Sequence, residues 1–127
     1  MAKDDALTAF VSRARTQLGD ECPVLLGCTS AGALGNDTKI YGGNPLTFGA
    51  STVSPFLSSK VQESVEKMML RIKVLEQKPT LTPMISIGGI TEKQVNDTIA
   101  ACIKSGAESF ILFDAEGYYD FAAYTLP

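Results

Sequence analysis

Apolar side chains recur along this chain in two ways: every three or four residues in some stretches, consecutively in others. Residues 4–18 are of the first kind, with Leu7, Phe10, Val11, Ala14 and Leu18 on one face of a predicted helix. Asp4 and Asp5 suit its beginning, where the helix dipole favours negative charge, and Gly19 suits its end. The spacing of Val61, Val65, Met68, Met69, Ile72 and Leu75 predicts a second helix over 59–77. Ser59 and Gln62 match a capping box there, and Pro79 closes the segment. A third helix starts at Thr91, with Gln94 completing another capping box. It buries Val95, Ile99, Cys102 and Ile103 and stops at Gly106.

Short continuous apolar runs lie between these helices. Residues 23–28, 82–87 and 110–113 read as buried strands, and the last is apolar on both faces, as a central parallel strand should be. Residues 29–54 are rich in Gly, Asn, Ser and Thr, which favour turns, with short strands predicted at 39–41 and 46–48. The final stretch carries Tyr118, Tyr119, Phe121 and Tyr124 and reads as a short aromatic helix packed on the domain. Three helix-then-strand units without an obvious repeat predict an α/β fold, a mostly parallel sheet with flanking helices. A half (β/α)8 barrel and an open sandwich both fit that pattern.

Composition narrows the picture. With 127 residues, 45% of them apolar and 20% charged, the chain reads as one globular domain over 1–127. Its net charge is −3 and no Lys/Arg cluster forms a basic stripe, so no nucleic-acid partner is expected. The start is polar and acidic, unlike a signal peptide, and no apolar run approaches the ~20 residues that span a bilayer. A cytoplasmic protein with no membrane partner is the expectation. Cys22, Cys28 and Cys102 are too few and wrongly spaced for a disulfide framework or a zinc site, and Cys28 and Cys102 lie in apolar surroundings as buried thiols. The chain has no histidine, which removes Ser-His-Asp and Cys-His catalysis and His-ligated zinc. No metal or cofactor is expected.

In parallel sheets, sites form beyond the carboxyl ends of the strands. Asp114 and Glu116 follow the last apolar run. Two carboxylates held close raise one another's proton affinity, so one can act as an acid on a glycosidic bond; solvated loop acids are the plainer alternative. Ser86, Gly88, Gly89 and Thr91 form a Gly-rich turn into a helix, able to offer backbone N–H groups to a ligand or simply to supply a tight turn. Cys28 and Ser30 are candidate nucleophiles whose base would have to be Lys, Asp or Glu, with a structural turn the favoured reading; backbone N–H groups near Ser30 are also candidates to line a ligand pocket. Asn44, in Gly42-Gly43-Asn44-Pro45, suits a turn and could also orient a ligand hydroxyl.

Ser86-Ile87-Gly88-Gly89, followed by Asp114-Ala115-Glu116, resembles the S-x-G-G strand and D-x-E strand end of family 18 chitinases, which are (β/α)8-barrel glycoside hydrolases. The likeness covers about residues 70–120. It implies Glu116 as proton donor and Asp114 as the residue that orients the substrate's N-acetyl group, with that group as nucleophile. The family has further acids where this chain has Ser109 and Leu112, and often a Trp where Ile90 stands. Residues 24–32 also resemble a segment of the FIST sensory domains, which bind small ligands. A complete barrel takes about 250 residues, and a half barrel leaves sheet edges open, so a homo-oligomer is expected. These observations lead to a small-molecule-binding or assembly domain that need not be catalytic, with a carbohydrate-active domain using Asp114 and Glu116 as the alternative.

Overall fold

The computed structural model describes residues 3–35, 44–58 and 60–114, with side chains from residue 6 onward. Four helices, α1 (Lys3–Leu18), α2 (Ser30–Ala33), α3 (Val61–Lys73) and α4 (Glu92–Lys104), are interspersed with five strands. These are β1 (Leu25–Thr29), β2 (Thr52–Leu57), β3 (Thr80–Leu81), β4 (Met84–Ser86) and β5 (Ile111–Phe113). The strands form one sheet in the order β1-β2-β4-β5, with β3 also paired to β2, and every pairing is parallel. The expected parallel α/β architecture is therefore present. Its strand order follows the chain without reversal, as in a segment of a (β/α)8 barrel and unlike a doubly wound sheet.

The core lies between one face of the sheet and the helices. Val53 and Leu57 of β2 and Ile85 of β4 pack with Ile87 against Val65, Met68 and Ile72 of α3 and Val95, Ile99 and Cys102 of α4. The apolar stripe of α3 and most of that of α4 fall where their spacing predicts. Ile103 does not: it is 58% exposed, turned away from the line that Val95, Ile99 and Cys102 present to the sheet. The Thr91–Gln94 capping box forms, and Gly106 follows α4 at φ +104°, a conformation that suits glycine.

Several local expectations fail for identifiable reasons. α3 has no capping box: Lys60 is its N-cap, in the left-handed region at φ 49°, and the Gln62 amide donates instead to Glu66. Ser59 lies outside the described residues. The helix ends at Lys73 rather than at 77. Residues 46–48 are not a strand. Asn44 Oδ1 accepts a hydrogen bond from Leu46 N (3.1 Å), and Pro45–Thr47 winds into a 3-10 turn that buries Leu46. Of the α1 face, only Val11 is buried, in a small cluster with Phe48 and Ala50 beside β1; Phe10 and Leu18 remain exposed. The apolar runs of β1 and β5 predict enclosed strands, yet the two end the sheet among the described residues, and the outward side chains of β1 are exposed. The predicted strand at 39–41 and the aromatic tail lie outside the described residues.

β2 is the largest departure, because its first residues belong to the 29–54 stretch whose composition favours turns. Proline inside a strand argues against a central position. Here Thr52 and Val53 pair with β3, and Phe56 and Leu57 pair with β4. Ser54 and Pro55 therefore sit opposite the break between those two strands, where the missing N–H of Pro55 costs no ladder bond.

Candidate functional site at the carboxyl ends of the strands

Parallel register brings the strand exits to one end. Thr29 is opposite Phe56, Phe56 opposite Met84, and Ser86 opposite Phe113. Ser30 follows Thr29 and Asp114 follows Phe113, so Ser30, Ser86 and Asp114 share this rim. Glu116 lies outside the described residues, and the carboxylate pair has no described geometry.

Strand alternation decides what faces the rim from inside. Leu57 and Val53 point into the helix-side core, so Phe56, Ser54 and Thr52 belong to the opposite face. Leu112 packs against the core, which assigns Phe113 to that same opposite face. The two rings meet edge to face, with centroids 5.7 Å apart and planes at 78°, yet Phe56 is 40% and Phe113 41% exposed. A half-exposed aromatic pair next to Ser86 and Asp114 offers a ligand both a ring surface and polar groups. Charge alternation would not have revealed this pair. The signal was the alternating Thr52–Leu57 pattern, hidden by Pro55.

The loops on the helix side of this end add a polar cleft. About 370 Å³ opens between the N-terminal ends of α3 and α4, lined by Ser58, Lys60, Gln62, Ile90, Gln94 and Asp97 among others. Lys60 is the one described non-glycine residue with positive φ. Such strain concentrates at functional positions, where the surrounding structure holds it.

The other sequence candidates have assigned partners. Thr91 Oγ1 accepts from Gln94 N (3.2 Å), and Gln94 Oε1 accepts from Thr91 N (2.8 Å), so the Thr91 hydroxyl is occupied in capping. Gly89 adopts φ +77°, the tight turn that glycine allows, and nothing lies within 4 Å of where a Cβ would stand at Gly88 or Gly89. Ser30 opens the short α2, and its carbonyl accepts from Leu34 N (2.9 Å). Asn44 belongs to the turn leading toward the amino end of β2, away from the rim, with Oδ1 engaged as described. Cys28 points to the helix side, and burial pushes its thiol up to about 11, which keeps it protonated and poorly nucleophilic near neutral pH. Burial does the same to Cys102.

A cleft of about 530 Å³ lies elsewhere, lined by Met69, Leu70, Ile72, Lys73 and Ser105 among others, at the C-terminal ends of α3 and α4. Its lysines have structural duties. Lys78 Nζ donates to Leu75 O (2.6 Å), and Lys73 complements the negative end of the α3 dipole. The rim is the better candidate because it combines strand exits, exposed rings and backbone strain. Among the described residues, no group of three or more Cys, Asp or Glu side chains could hold a metal ion, and no helix is long and apolar enough to cross a membrane. Comparison with known proteins finds no family model, no curated relative and no solved structure that matches this chain.

Proposed function

We propose that this domain binds a small molecule at the carboxyl end of its parallel sheet. The observation that carries the reading is the Phe56–Phe113 pair, two large apolar rings left half exposed beside Ser86 and Asp114. Ring surface with few convergent polar groups is the usual make-up of a small-molecule site. Strained Lys60 and the neighbouring cleft support the same end of the molecule. The test is a fragment screen read by amide and aromatic NMR shifts. Binders should move Phe56, Ser86, Phe113 and Asp114 together. Binders that move only residues of the α3–α4 C-terminal cleft would contradict the proposal.

Assembly is the second reading. Leu25 on β1 is half exposed, Phe10 and Leu18 of α1 are exposed, and both end strands present unpaired edges among the described residues. A homo-oligomer would cover such surface. Light scattering should then show a mass above that of one chain, and a monomer at high dilution would remove this reading. The carbohydrate-active alternative assigns acid catalysis to Glu116 with Asp114 as its partner. It requires glycosidase activity that Glu116→Gln abolishes.

A further inference from the structure

The geometry points to a second copy of this chain as the partner, joined edge to edge so that two sheets close into one eight-stranded parallel barrel whose mouth both copies line. This deepens the assembly reading above and rests on it. The sheet is four strands wide, because β3 and β4 meet β2 in one continuous register: Thr52 is opposite Thr80 and Phe56 opposite Met84, at the same offset. The strands run in chain order, all parallel, with the core under α3 and α4 on one face. That is half the strand number of a (β/α)8 barrel, with the helices on what becomes its outside. All-parallel sheets occur almost only with both faces covered. Here Leu25, Gly27 and Thr29 of β1 are exposed on the other face, and Phe56 and Phe113 are half exposed; Ser54, at the centre, is the enclosed exception. No strand position on that face is charged. The two end strands, Leu-Leu-Gly-Cys-Thr and Ile-Leu-Phe, also lack the lysine or proline that guards a solvent-facing edge.

Register selects a second copy over a foreign strand. Thr29, Phe56, Met84 and Ile111 lie in line across the sheet. A barrel of this type staggers by about eight residues in a full circuit, hence by about four in half of one. With the right-handed tilt of its strands, the stagger runs toward their amino ends. Ile111 therefore meets the partner's Leu25, four residues before Thr29, and Phe113 meets the partner's Gly27. Both matches fall inside β1 and β5, and all four residues belong to the open face. A Cβ at Gly27 would meet nothing within 4 Å, so the ring of the partner's Phe113 finds room there. The same junction forms twice about a two-fold axis along the barrel, a closed arrangement that leaves no edge. Phe56 and Phe113 stand at the strand exits. The rings of both copies, with Ser86 and Asp114 of each, then frame one mouth, of which a single chain supplies half.

Cysteine cross-linking in the 127-residue chain tests this, alongside light scattering. Cys22→Ser removes the exposed thiol and serves as the parent. On it are placed Leu25→Cys/Ile111→Cys and Gly27→Cys/Phe113→Cys, each checked by circular dichroism to be folded. Within one chain the two end strands are three strand spacings apart, about 14 Å, too far for a disulfide. Mild oxidation should nevertheless convert most of both variants to a two-chain species on a non-reducing gel, and scattering of the parent should give twice the mass of one chain. Thr29→Cys/Ile111→Cys, which the stagger holds roughly 13 Å apart along the strand, should link at least about 10-fold less. A dimer in which neither designed pair links, or only the Thr29/Ile111 pair does, would overturn the inference and leave the assembly reading standing. So would self-linking of Gly27→Cys alone, the mark of two β1 edges paired antiparallel. A monomer at high dilution removes both.

Discussion

The two faces of the sheet do different work, although each strand contributes to both. On the helix side, Val53, Leu57, Ile85 and Ile87 are closed under α3 and α4 with almost no exposed surface. On the other side, Leu25 of β1, Phe56 of β2 and Phe113 of β5 are partly open to solvent. Stability resides in the first face, where hydrophobic burial is complete. The second has apolar area that folding alone has not buried. A region that the fold does not need to close is a region that binding can close, which is why the functional reading is placed there.

Truncation should separate the faces most sharply. Ile85→Ala, on the closed side, should cost about 2–5 kcal/mol in denaturant unfolding, the transfer loss plus the cavity left behind. Phe113→Ala, on the open side, should cost no more than about half that, because much of its ring is already in water. Equal losses would mean that the open face is as enclosed as the core.

Gly35→Ala should come next. Gly35 has φ +82°, and a Cβ there would stand 2.6 Å from Arg71 Nη1. The backbone term alone is about 1 kcal/mol, with displacement of the guanidinium added to it. Thermal unfolding of Gly35→Ala and of Arg71→Ala/Gly35→Ala distinguishes the two contributions: the double variant should recover the part due to the clash. A smaller loss, about 1 kcal/mol, is expected for Thr91→Ala, which removes the side-chain acceptor of the α4 capping box.

A separate effect is in alkali. Cys28 and Cys102 have folded-state values raised by burial from 9.0 to about 11. The thiol groups are neutral when protonated, so their contribution to stability is fully present below pH 9. It declines as pH rises from 9 through 11, because the unfolded chain releases those protons first. Unfolding midpoints measured from pH 8 to pH 11 should fall across that window, and less so in Cys28→Ala/Cys102→Ala. Iodoacetamide at pH 8 should modify exposed Cys22 in the native protein and reach the other two only on unfolding.

The parts of the molecule legible in sequence are those decided locally. The Thr91–Gln94 box, the glycine after α4 and the α3 stripe each depend on residues within one or two turns of one another. Parallel pairing was legible for a similar reason, since alternating helices and apolar runs leave few other topologies. β2 was not, because a proline fits there only by virtue of a break between β3 and β4, far away in the chain. The exposure of the α1 face was equally hidden: helical spacing shows that a face exists, while its burial depends on what the fold places against it. At the site, Ser86 and Asp114 were legible from their positions after apolar runs. Phe56 and Phe113 were not, since their meeting depends on register between strands rather than on any motif.

The most direct test of the account is a NOESY spectrum of the native protein recorded with and without a water-soluble paramagnetic probe. Ring-to-ring cross-peaks between Phe56 and Phe113 should appear and be broadened by the probe, while the methyl signals of Leu57 and Ile85 stay sharp and connect to Val65 and Ile99. Cross-peaks from the Phe56 ring to Val65 or Ile99, protected from the probe, would put that side chain in the core and contradict the open face on which the functional reading depends.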